Sequence, residues 1–117
     1  MIETYHRASE AVEELRLLHE KSELWVSGPL TLESAECRSV LRILSFLSGL
    51  CDATVPQERL GQNQNLLQNL NAHGEVLQVL RTPFHAADEG LTQIFRECHR
   101  FLVLVGYFVE HLGVYLD

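Results

Sequence analysis

The chain has 117 residues, enough for one domain with one core, and 46% apolar against 21% charged residues is a globular rather than a disordered balance. Its net charge is −7, with a single lysine, Lys21, and eight scattered arginines. No basic stripe is present to follow phosphates and an anionic membrane surface would repel the chain, so nucleic acid and direct membrane insertion are not expected as partners.

Residues 2–23 read as an amphipathic helix. Tyr5, Ala8, Val12, Leu15 and Leu18 step by three or four and define one face, while Glu3, Glu10, Glu13, Glu14, Glu20 and Glu23 make a solvated one. Glu3 and Arg7 are spaced as a helical ion pair. Ser27-Gly28-Pro29 marks a turn within the connector 24–30, and Trp25 is expected as an anchor against the neighbouring helices. Thr31 is placed to cap a helix over 32–51, with Glu33 in its first turn. Val40, Leu41, Ile43, Leu44, Phe46, Leu47 and Leu50 cover more than half of that helix, which predicts the central, most buried element. Arg38 and Arg42 mark its outer edge. Thr54 and Gln57 have capping-box spacing, with Pro56 in the first turn.

The next helix is predicted to run to Leu70, with Gly61 weakening it by about 1 kcal/mol relative to alanine. Leu60, Leu66, Leu67 and Leu70 supply its apolar face, and Gln62, Asn63, Gln64, Asn65, Gln68 and Asn69 fill the rest. An Asn/Gln-rich stretch can also be a low-complexity tract, but regularly spaced leucines argue for an ordered helix. Asn71 is expected to cap a second short helix carrying Val76, Leu77 and Leu80, with Arg81 in its last turn. Thr82-Pro83 ends it, because a residue before proline is pushed out of the α region.

Asp88 can cap a last helix, predicted over 89–116. Leu91, Ile94, Phe95, Cys98, Phe101, Leu102, Val105, Phe108, Val109 and Leu112 keep helical spacing along it, and Gly106 and Gly113 are expected to allow close contact or bending. The run Phe101 to Val109 is apolar throughout, but Glu110 and His111 interrupt it. It falls short of the about 20 residues a membrane span needs.

Cys37, Cys51 and Cys98 form no CxxC pair and are expected as reduced, buried thiols of a cytosolic protein. The histidines at 6, 19, 73, 85, 99 and 111 include no HExxH and no i,i+4 pair, so a metal-binding module is the weakest reading. No GxSxG, no phosphate-cradling glycine loop and no recognisable Cys/His arrangement supports an enzyme. Glu13-Glu14 and Asp88-Glu89 belong to exposed turns rather than to a cleft that would shift their pKa values. No cofactor and no catalytic residue is expected.

One stretch says more. Asn63-Gln64, Leu66-Leu67, Asn69, Ala72-His73, Val76, Leu77 and Leu80, followed by Pro83-Phe84, resemble a signature of inositol trisphosphate receptors. It belongs to the helical homology region those receptors share with ryanodine receptors. Glu36-Cys37, Val40-Leu41, Ile94, Phe95, His99 and Phe101-Leu102 agree more loosely, so the resemblance covers roughly residues 34 to 102. It implies an armadillo-like stack of helices on the cytosolic side of a tetrameric calcium-release channel in the endoplasmic reticulum. The structural signature would be Asn63, Leu66, Leu67, Leu70, Ala72, His73, Val76, Leu77, Leu80 and Pro83. The family's phosphate-binding residues map onto no position here, so inositol trisphosphate is not expected to bind this segment itself. The apolar continuation past Leu102 departs from the polar loop that the resemblance implies.

The expected fold is therefore all-α, an armadillo-like helical repeat bundle of four to five helices. The expected organisation is a single helical domain, 1–117, forming a segment of a larger helical solenoid. The expected function is a non-catalytic scaffold segment of an inositol trisphosphate receptor-like channel. The alternative is a stand-alone, cytoplasmic helical adaptor or self-associating interaction module. In either case the expected partner is protein: neighbouring helical repeats, or self-association through the last helix. Phe101, Leu102, Val105, Phe108, Val109 and Leu112 are the candidate interaction face.

Overall fold

The computed structural model describes residues 2–21, 34–82 and 89–106. Within them the chain is all-α, with five helices: α1 (Ile2–Glu20), α2 (Ala35–Gly49), α3 (Gln57–Asn69), α4 (Ala72–Leu80) and α5 (Glu89–Leu104). Trp25, Thr31, Pro83 and Asp88, each given a role from its sequence position, lie outside the described residues.

Four of the helices close a ring. α2 packs on α1 and α5, and α4 in turn packs on α5 and α1. The third helix lies outside that ring, packed on α4. Hydrophobic spacing explains the arrangement. Cys37, Val40, Ile43, Leu44 and Leu47 of α2 are all buried, as are Leu91, Ile94, Cys98, Phe101 and Leu102 of α5. Removing such a leucine or phenylalanine side chain from water contributes about 1.5–3 kcal/mol, so this interface is the main source of stability. The central role predicted for the helix spanning Val40 to Leu47 is what the structure shows.

Several boundaries differ from expectation, each for a local reason. The second helix starts later than 32, because the Ser34 hydroxyl accepts a hydrogen bond from the Cys37 N–H at 3.2 Å and so caps it. Thr54 is not a helix cap: it is held in the preceding turn, where the Asp52 carboxylate accepts from its N–H at 2.9 Å and from its hydroxyl. α3 instead begins directly after Pro56, whose carbonyl accepts from the Arg59 and Leu60 N–H groups. The last helix does not continue through Gly106. It stops at Leu104, and Gly106 takes φ +86°, a left-handed value that glycine adopts without a Cβ clash.

Two apolar faces also shift. In α1 the buried residues are Ala8, Ala11, Val12 and Leu15, while Tyr5 is 48% exposed and sets its ring edge-on to His6. The neighbour that meets α2 at this end is Arg7, whose guanidinium lies 4.8 Å from the centre of the Phe46 ring, a cation–π contact in place of the predicted pairing with Glu3. In α4 the buried face is Ala72, Val76 and Val79, with Leu77 and Leu80 half-buried beside it.

Candidate functional site

The stretch that carries the family resemblance folds as a hairpin of α3 and α4. Leu70 and Asn71 link them, and Asn71 makes the turn at φ +58° and ψ +34°. Asparagine is one of the few residues that visits this left-handed region readily. Its side chain does not cap α4, contrary to expectation. Instead its amide lies over Gly74, where a Cβ would stand 2.5 Å from it, so the glycine makes room for the turn. Leu66 and Leu67 of α3 and Ala72 and Val76 of α4 are buried together in the core, with Leu70, His73, Leu77 and Leu80 half-buried. Every described residue of the structural signature thus sits in the hairpin's inner or intermediate layer, while Asn69, also within the stretch, is exposed.

The polar residues of α3 have a role that spacing alone does not reveal. Helix C-termini leave carbonyl oxygens without intrahelical donors. Asn63, itself 9% exposed, donates its Nδ2 to the carbonyl of Leu50, which ends α2, at 2.7 Å. Gln64 Nε2 donates to the Leu104 carbonyl at 3.0 Å, and Gln68 Nε2 to the Val105 carbonyl at 3.2 Å. Both acceptors lie at the end of α5. Meanwhile the Phe101 and Val103 carbonyls receive the N–H groups of Val105 and Gly106. A row of neutral amides on α3 therefore supplies donors to the ends of two other helices.

Beside Asn63 an open groove of about 350 Å³ is lined by Thr4, Leu50, Pro56, Arg59 and Gln62, among others. A second groove, of about 390 Å³, runs between α1 and α2 over Ala11 and Ile43, with Arg7, Glu10, Glu14, Arg42 and Phe46 on its walls. Glu14 and Arg42 pair across it at 2.8 Å, both largely exposed. Water competes for such a pair, so it aligns the two helices more than it stabilises them.

The titrating groups are tuned toward structural roles. Hydrogen bonding from Arg16 holds the Glu13 carboxyl below its usual range, and Thr54 does the same for Asp52. Burial pushes the Cys51 thiol up to about 11 and raises Cys98 further, so both are inert thiols at neutral pH. Burial lowers His19, whose Nε2 stands 3.4 Å from the Thr82 hydroxyl, with Glu75 opposing the shift. Among the described residues no group of three or more His, Cys, Asp or Glu side chains could hold a metal ion, and no helix is long and apolar enough to cross a membrane.

The candidate interaction face on the last helix is not assembled as expected. Phe101, Leu102 and Val105 are fully buried in the chain's own core, because that side of α5 closes the ring against α2 and α4. They are not available to a partner. Phe108, Val109 and Leu112 lie outside the described residues. Two functional positions do not stand out in the sequence: Ser34, the cap of α2, and Gln68, whose spacing places it on a polar face. The i,i+4 spacing of Gln64 and Gln68 was the available signal that both face one way. No protein-family model matches the chain.

Proposed function

We propose that this chain is a non-catalytic helical scaffold segment, similar to the cytosolic regulatory solenoid of an inositol trisphosphate receptor-like calcium-release channel. One observation carries the reading: the residues of the resemblance build one hairpin, and its polar members tie that hairpin to two other helix ends. A module of that kind holds its helices in fixed relation and passes displacement on as a body, which is what a linking segment must do. Its partners would be neighbouring helical repeats, and its place the cytosolic side of the endoplasmic reticulum membrane as part of a longer chain.

A specific observation favours the second reading, a stand-alone helical adaptor. An excised solenoid layer exposes apolar faces where its neighbours belong. Here the ring of four helices closes on itself, and the exposed large hydrophobics among the described residues are Tyr5, Leu17 and Val103, on two different helices. Scattered single residues of this kind are ordinary surface.

The two readings separate by the size and fractionation of the natural polypeptide, detected with an antibody raised to residues 63–84. The channel reading expects a chain of several hundred kilodaltons in the membrane fraction. A soluble species at the 13.3 kDa of this chain would overturn it in favour of the adaptor.

A further inference from the structure

We propose that Gln64 and Gln68 form a latch coupling the α3–α4 hairpin to the end of α5. The two amides stand one helical turn apart and take the carbonyls of consecutive residues, Leu104 at 3.0 Å and Val105 at 3.2 Å. These are the residues at which α5 stops and the backbone turns through the left-handed Gly106. A Cβ built on Gly106 would lie 4.0 Å from Gln64 Nε2, so the amide packs against the turn itself. Val105 is fully buried, which anchors the turn from below.

The same helix is held at the end of α2 through Asn63 and Leu50, and it is joined to α4 by the two-residue link Leu70-Asn71. A rigid helix bonded at the exits of two others transmits movement between them. Both donors are uncharged amides, so the latch neither titrates nor is screened by salt. The use assigned to it rests on the scaffold reading above, but its existence does not: loss of the channel reading in the fractionation experiment would leave the latch intact.

The test is residue-resolved amide hydrogen exchange on the 117-residue chain carrying Gln64→Met and Gln68→Met, which keep side-chain length but remove the donors. Gln62→Met, on the same helix, serves as the control. In the double variant the amides of Val105 and Gly106, which donate to Phe101 and Val103 at 2.9 and 3.1 Å, should exchange about tenfold faster. Amides of α1 and α2 should keep their rates. Unchanged exchange at Val105 and Gly106 overturns the proposal, and so does an equal acceleration in every helix, which would mean that only general stability was lost. If the double variant fails to fold, each single variant should show about a threefold local acceleration, and wild-type rates in both overturn the proposal equally.

Discussion

The α2–α5 interface and the underside of α3 are built from opposite chemistry. The first is dry and apolar: Val40, Leu44, Leu47, Ile94 and Phe101 are fully buried, and the Cys37 thiol beside them faces the Gly90 carbonyl at 3.9 Å. The second buries Leu66 and Leu67, with Leu60 and Leu70 packed beside them, and adds side-chain amides on backbone carbonyls. Apolar burial is non-directional and large, whereas a neutral hydrogen bond contributes about 0.5–1.5 kcal/mol net and demands a particular geometry. The interface therefore supplies stability, and the amide row supplies position.

The sharpest way to break this division is to put a charge where α3 meets the core. Leu67 is fully buried, and Leu67→Asp places an unpaired carboxylate there at a cost of several kcal/mol. The variant should show no cooperative thermal transition; a cooperative melt at the wild-type temperature would refute the packing. Next in size is Phe101→Ala in α5. It leaves a cavity at a fully buried site and should lower unfolding free energy in urea by about 3–5 kcal/mol. Asn63→Ala removes the donor to Leu50 and strands a carbonyl, for which about 1–3 kcal/mol is expected in the same assay. A loss from Asn63→Ala equal to that from Phe101→Ala would erase the distinction between the two regions.

The smallest effect concerns pH at the contact between α1 and the end of α4. Burial holds the His19 pKa below its ordinary value, so the fold favours neutral imidazole. The stability this group contributes is present above the unfolded-state value of about 6.5 and is lost as pH falls through the lower folded-state value. His19→Gln should flatten the decline in melting temperature between about pH 7 and 5. Identical slopes in the two proteins would remove His19 from the account.

The fold was legible wherever apolar residues repeat with helical period. Val40 to Leu47 and Leu91 to Leu102 could be assigned to buried faces from spacing, and both are buried. Termini were less legible, because they depend on single hydrogen bonds. Ser34 and Thr31 are both able to cap, and only the N–H that Ser34 meets decides between them. The end of α5 was hidden for a different reason. The apolar run passes through Gly106 unbroken, and a glycine within such a run signals equally a weak helical position and a left-handed stop. Of the hairpin, Leu66, Leu67 and Val76 followed from periodicity. The destinations of Asn63, Gln64 and Gln68 did not, since their acceptors lie 13, 40 and 37 residues away in sequence.

The claim on which the account turns is that the amides of α3 are bound to the ends of α2 and α5 rather than to water. At 13.3 kDa the chain suits solution NMR, and the direct measurement is of its side-chain NH₂ groups. Through-space cross-peaks are expected from the Gln64 and Gln68 amide protons to Val105 and Gly106, and from Asn63 to Leu50 and Cys51. Slower solvent exchange is expected for those three NH₂ groups than for the side-chain amides of Gln62 and Asn65. Solvent-like exchange with no such cross-peaks would contradict that claim, and would return the Asn/Gln row to an ordinary polar face.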